Sequence, residues 1–445
     1  PGARRLAMSS IGRAMSWTML QHVVRLGVGV VTALGLARHL GPTEFGLYQS
    51  LMAWLLIFVA VSGGGLQSLV IQRLAVSENP AQVLGTVFRM RALWTLGAMA
   101  FCMGIPLVEH WDHAELIGCA FLLPVLFLQM GDLVDYWFQS QLKPRLVVIT
   151  RTSASLVSLG VMGFGLWMSK GIYFFLGAFV LEQFLGTMVL YWINHRKGIS
   201  ALRWNYDSAL AQELFRDAWP MLLATVCLLL YTRIDLVMLK HLSSPEQTGF
   251  FAASTRLSQL WIFLPMVVVN GAFPMLARTR KNDPQHYEQQ SRDLFAILGA
   301  LGLPLALVLS LGATWITSLL FGKAFSPTAP MLALQGWITL CYFLRTGLDR
   351  FLITEKATKF NLLVHACTAA LNIVLNLLWI PSMGGTGAAL ASFVAMGFGI
   401  WIVPWLTPTT RIAAKHVAFG TFGLAYLATR KGRKSCWALL GSGIP

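Results

Sequence analysis

The chain has 445 residues, 56% of them hydrophobic and 12% charged, with a formal net charge of +16. A soluble globular domain carries roughly 25% charged residues, so this chain lacks the polar surface to face water and its solvent is a bilayer. Its basic residues lie in short loops between apolar runs, which argues against nucleic acid as a partner and makes them topology signals.

In chain order, the first apolar helix covers 17–40. Thr18, His22, Arg25, Gly29 and Thr32 recur in it at spacings of three and four, which is one helix face. A charge at the bilayer centre costs about 2.5–3.5 kcal/mol on insertion scales, so Arg25 should face a wet cavity or a tertiary acid such as Glu182 or Asp235. The punctuation Leu36-Ala-Arg-His-Leu-Gly-Pro-Thr-Glu-Phe-Gly-Leu-Tyr48 closes the helix. Spans at 47–70, 91–108, 116–138, 146–168 and 171–193 complete an N-terminal six-helix lobe, 1–193. Near the end of the fourth, Asp132 and Asp135 are expected in a local ion pair beside Lys143-Pro-Arg145; Glu182 lies near the middle of the sixth.

The polar segment 194–216 reads as a cytoplasmic inter-lobe linker. A second six-helix lobe, 217–406, follows with spans at 218–240, 249–276, 294–320, 329–352, 360–380 and 385–406. Arg233 and Asp235 lie in its first span, and Arg256, Gln259 and Asn270 in its second. Its fourth carries the polar stripe Gln335, Thr339, Tyr342, Thr346 and Asp349, with Arg345 placed to pair with Asp349. Its fifth carries Asn361, His365, Thr368, Asn372 and Asn376. In the tail, 407–445, the stretch 412–428 reads either as a thirteenth span or as an interfacial helix. The six cysteines form no CxxC pair and read as small buried hydrophobes.

Loop charges test this topology. One side collects Arg4, Arg5, Arg73, Arg89, Arg91, Arg145, Arg151, Arg196, Arg216, Arg278, Arg280, Arg292 and Arg350 among others; the opposite side holds Arg38, Lys170, Lys240 and Lys323. The positive-inside rule then places the N-terminus in the cytoplasm. The punctuation of the first lobe returns as Leu239-Lys-His-Leu-Ser-Ser-Pro-Glu-Gln-Thr-Gly-Phe-Phe251, again joining the first and second spans of a lobe. Units of six spans enter from the same side, so the repeat implies an all-α polytopic transporter of two lobes related by an axis along the membrane normal.

The intramembrane tally, Arg25, Arg233 and Arg256 against Glu182 and Asp235, leans basic and suits an anion, because arginine keeps its charge and forks onto phosphate oxygens. His22, Gln259, Asn270, Thr339, Tyr342, Asn372 and Asn376 would serve a sugar-like portion of the same cargo. No cofactor or metal is expected. Coupling to H+ or Na+ through Glu182 or Asp235 stays open.

Two sets of residues carry a family resemblance. One is Leu36–Tyr48. The other is Arg233-Ile-Asp-Leu-Val-Met-Leu239 with Gly249-Phe-Phe-Ala-Ala-Ser-Thr-Arg-Leu257 and Phe273-Pro-Met-Leu-Ala277. Over residues 10–405 the chain resembles the Wzx-like oligosaccharide flippases, the polysaccharide branch of the multidrug/oligosaccharidyl-lipid/polysaccharide exporter superfamily, with a MATE-like fold. The resemblance implies a non-enzymatic transporter of the bacterial inner membrane. It would move undecaprenyl-diphosphate-linked oligosaccharide by alternating access for surface polysaccharide such as O-antigen of lipopolysaccharide, capsule or exopolysaccharide, beside polymerase and chain-length machinery. The competing reading on the same fold is a cation-coupled multidrug exporter. A membrane glycosyltransferase or polymerase would need catalytic groups on a sizeable external loop, and the loops here hold only a few residues each.

Overall fold

A computed structural model describes residues 2–141, 144–197, 205–407, 410–429 and 432. The side chains of Thr18 and His22, and all of Lys143, fall outside the described residues. Among the described residues every regular element is helical.

Helix α1, Gly2–Gly63, runs for 62 residues but is broken at Gly41, whose φ of 72° lies in the left-handed region open to glycine. Pro42 then starts the next helix, where its missing N–H costs nothing. The expected Gly-Pro punctuation is thus the physical end of the first span. After α2, Gln67–Val76, come α3, Pro80–Val108; α4, His113–Leu128; α5, Asp132–Ser140; α6, Pro144–Trp167; and α7, Ile172–Lys197.

The repeated punctuation falls between α8, Ser208–Leu242, and α9, Pro245–Gln259. The Gln247 backbone N–H donates to the Ser244 hydroxyl at 3.2 Å, and proline again takes the first helical position. Helices α10, Phe263–Asn282; α11, Pro284–Leu311; α12, Ala313–Phe321; and α13, Thr328–Thr354 follow. Helix α14, Thr358–Gly397, is broken at Gly384, with φ of 56°. There the Gly385 N–H donates to Gln247 Oε1 at 3.1 Å, which ties this break to the first turn of α9.

Among the described residues, eight segments are long and apolar enough to cross a bilayer. Two of them, Val24–Val76 and Lys359–Trp405, run for 53 and 47 residues, more than twice the ~20 that a crossing needs, and divide at Gly41 and Gly384. The bent pair within Met221–Leu242 falls at one further span expected from the sequence, and helix α13 at another. Large apolar side chains such as Leu96, Phe101, Trp167 and Leu311 remain exposed, as a lipid solvent permits.

The chain divides into two compact units, Pro1–Arg233 and Ile234–Pro445, so the boundary falls inside α8. In unit 1 the segment after residue 204 is folded onto the lobe. Gln82 Nε2 donates to Asp207 Oδ2 at 2.6 Å, the Asp207 N–H donates to the Thr86 hydroxyl at 3.0 Å, and Arg73 pairs with Glu213. The core of unit 1 gathers Leu66, Val70, Val83, Val87, Leu133 and Leu214. That of unit 2 gathers Phe295, Leu298, Phe343, Leu344, Leu348 and Ile400.

The tail forms α15, Arg411–Thr421, and α16, Gly423–Ala428, of 11 and 6 residues, each too short to cross a bilayer. Both lie against the first half of α11. A Cβ at Gly299 would sit 1.6 Å from the Gly420 carbonyl oxygen, and the Tyr426 hydroxyl donates to Asp293 at 3.2 Å. At the other end, Thr410 donates to the Pro404 carbonyl at 2.8 Å.

Candidate functional site

A buried polar site of unit 2 is built from three stretches: the last turns of α8, the first half of α14, and the second half of α14 beyond the Gly384 break. Asp235, on α8, is 4% exposed. Its Oδ1 accepts from Asn376 Nδ2 at 2.6 Å and its Oδ2 from the Ser392 hydroxyl at 2.5 Å. Asn372 and Asn376, four residues apart on one face, complete the set. Asn376 Nδ2 also donates to Asn372 Oδ1 at 3.2 Å, and Asn372 Nδ2 donates to the Ser392 oxygen at 3.2 Å.

Every donor in this group is used, while Asn376 Oδ1 is buried with no partner. Asp235 makes no ion pair among the described residues. The result is a dry cluster of oxygens with one formal negative charge. Such a donor set suits a proton or a hard cation, not an anion.

Two further charged groups lie in the membrane segments. In unit 2, Arg345 Nε donates to Asp349 Oδ1 at 2.9 Å, the expected pair one turn apart, and His365 Nε2 lies 3.5 Å from the same oxygen. In unit 1, Arg151 Nη2 donates to Asp132 Oδ1 at 2.9 Å and to Asp135 Oδ2 at 3.1 Å. Arg91 Nη2 lies 3.8 Å from Asp132 Oδ2, and the Ser155 hydroxyl donates to Glu182 Oε1 at 2.5 Å. Asp132 and Asp135 are thus paired, but with Arg151 on α6 and Arg91 on α3, where the sequence had pointed to the loop 143–145.

That pairing corrects one reading. Arg91 and Arg151 were assigned to loops, yet Arg91 is 1% exposed and Arg151 is largely buried. Helix α3 begins at Pro80 behind the Asn79 cap, a full three turns before Arg91, and α6 begins at Pro144. The Asn-Pro start signal was the clue that sequence reasoning missed. Ser392 was missed for another reason: it lies on a later span and meets Asp235 only because α14 folds back at Gly384.

The remaining candidate residues fall as follows. Arg25 is exposed and makes no ion pair among the described residues. A Cβ at Gly29, one turn on, would meet nothing within 4 Å, so that face is open. Glu182 and Asp235 are held by Ser155 and by the amide group, not by Arg25. Arg233, Arg256, Gln259 and Tyr342 are half-buried. Asn270 is exposed and accepts from Arg350 Nη2 at 3.4 Å. The Thr339 hydroxyl is turned onto its own helix, donating to the Gln335 carbonyl at 2.8 Å. The structure thus brings Asp235, Asn372 and Asn376 together within unit 2.

Comparison with known proteins places this arrangement. The polysaccharide biosynthesis protein family matches residues 11–280, and the MatE family matches 220–378. The protein described as probable flippase AglR of Haloferax volcanii is 22% identical over 442 residues, covering 94% of this chain and 89% of that one. A solved structure of the lipid II flippase MurJ in an inward closed conformation superposes with a TM-score of 0.71 at 14% identity, covering 96% of this chain and 98% of that one. An inward-facing multidrug resistance MATE transporter superposes with a TM-score of 0.66 at 11% identity, covering 95% and 96%. These structural likenesses establish the fold, a polytopic all-α transporter fold. With more than half its length matched, the chain belongs to the polysaccharide biosynthesis protein family.

Proposed function

We propose that this multi-pass membrane protein is a flippase for a lipid-linked oligosaccharide, undecaprenyl-diphosphate-linked, in the bacterial inner membrane. It exposes the headgroup to the two sides in turn and supplies repeat units for surface polysaccharide to a polymerase. The family match supports this cargo class, and so do the names of the similar proteins, a probable flippase and a lipid II flippase. Arg25, Arg233 and Arg256 are the proposed contacts for the diphosphate, with His22, Gln259, Asn270, Thr339 and Tyr342 toward the sugars. Arg25 lies on an open helix face, within reach of phosphate oxygens.

Asp235 is the proposed site of coupling. The observation that carries this is a buried carboxylate held by amides and a hydroxyl, without a cation, next to an unsatisfied amide oxygen. Binding H+ or Na+ there would remove the uncompensated charge and so favour one conformation over another. Asn372 and Asn376 act in this site, which assigns them to the ion and not to the cargo.

The test is complementation of a gene knockout, read as surface polysaccharide at matched expression. Arg25→Ala, Arg233→Ala, Arg256→Ala and Asp235→Asn should each reduce it at least tenfold; full complementation by all four would overturn the reading. The buried acids give the drug-exporter reading one point in its favour. A drug-susceptibility panel on the knockout decides it, and unchanged susceptibility is expected.

A further inference from the structure

The Asp235 site depends on the fold-back of α14, where three of four residues are glycine: Gly384, Gly385 and Gly387. Such a backbone by itself leaves the angle of the fold-back loosely set. Beyond it, Ala388, Ala389 and Ala391 are fully buried but carry no polar group to fix the register. Among the described residues, one side chain hydrogen-bonds the glycine stretch. Gln247 Oε1 accepts the Gly385 N–H at 3.1 Å. It lies so close along the break that a Cβ at Gly384 would stand 2.9 Å from the same oxygen.

Gln247 is itself fixed to α8. Only Ser243 and Ser244 separate Leu242, the end of α8, from Pro245, the start of α9. The Ser243 N–H donates to the Leu239 carbonyl at 3.0 Å, the Gln247 N–H to the Ser244 hydroxyl at 3.2 Å, and the Thr248 hydroxyl to the Ser244 carbonyl at 2.9 Å. Asp235 stands seven residues before Leu242, Ser392 seven after Gly385, and Asn376 eight before Gly384. Each is thus two helical turns, about 10–12 Å, from the end of its own segment. The Gln247–Gly385 bond and the Ser392–Asp235 bond are therefore two rungs that tie the α8–α9 corner and the second half of α14 together. A slip of about 1 Å at the first rung would carry the Ser392 hydroxyl out of hydrogen-bond range of the carboxylate.

We propose that Gln247 is the positioning residue of the Asp235 site: its amide oxygen sets the angle and register of the second half of α14 and so holds Ser392 on the carboxylate. Its bearing on ion binding rests on the coupling reading of Asp235; its hold on Ser392 does not.

The test is infrared spectroscopy of the purified full-length protein in phosphatidylcholine nanodiscs, titrated with H+ and with NaCl. The Asp235 carboxyl band is assigned by its loss in Asp235→Asn, and Ser392→Ala gives the signature of a lost hydroxyl donor. Gln247→Leu should displace the band in the same sense as Ser392→Ala and move the midpoint of the ion response about tenfold with it. Gln247→Glu, which keeps an acceptor oxygen at the same reach, should restore both. A merely structural role would lower the unfolding temperature and leave band and midpoint in place. Should Gln247→Leu fail to fold, Gln247→Asn, one methylene too short to reach Gly385, makes the same comparison. A band unmoved in these variants overturns the proposal, whether or not an ion response is seen. A wild-type band that answers to neither ion overturns instead the coupling reading, and displacement of the band still decides the role of Gln247.

Discussion

In unit 1, Asp132 and Asp135 lie 2.9 and 3.1 Å from Arg151. In unit 2, Asp235 lies 2.6 and 2.5 Å from Asn376 and Ser392, and makes no ion pair among the described residues. Both lobes thus bury carboxylates at membrane depth, but they compensate them differently. Guanidiniums cancel charge outright and lock helices together, so Asp132 and Asp135 of unit 1 are structural. Amides and hydroxyls solvate a charge without cancelling it, which is why Asp235 is the proposed site for an exchangeable positive species. The comparison separates charge used for architecture from charge left available for work.

That separation can be broken in order of expected effect. Arg151→Ala strands two buried carboxylates and should cost about 3–5 kcal/mol, seen as a large drop in thermal unfolding temperature in detergent; adding Asp132→Asn and Asp135→Asn should recover most of it. Ser392→Ala removes one of the two donors to Asp235, a charge-assisted bond worth about 1.5–3 kcal/mol, and should lower the unfolding temperature by less. Asp235→Asn discards the charge along with its bonds, so the two terms offset to within about 1 kcal/mol. Its unfolding temperature should barely move while surface polysaccharide is lost. A loss of stability as large as that of Arg151→Ala would mean that Asp235 is architectural too. Arg25→Ala, on an open face, should leave unfolding unchanged and still impair complementation, with Arg25→Lys retaining charge but not fork geometry.

Residues close in sequence made much of this legible. The Gly-Pro of Leu36–Tyr48 and the Ser-Ser-Pro of its repeat mark real breaks, because proline can begin a helix and glycine at φ 72° can end one. Arg345 and Asp349 pair because they stand one turn apart. The 372/376 spacing placed two amides on one face of α14. The basic tally in the membrane was less secure, because it counted Arg25, Arg233 and Arg256 while leaving Arg91 and Arg151 in loops and so missed the network of unit 1.

Apolar run lengths, proline and glycine at the breaks and the repeated turn determined by themselves that this is a polytopic all-α membrane protein with charges inside it, because each is a local property of a helix in lipid. Which acid meets an arginine and which meets an amide and a hydroxyl was decided by the tertiary structure alone. Those partners lie on different helices, 141 and 157 residues apart for Asp235, and no periodicity within one helix encodes a neighbour on another.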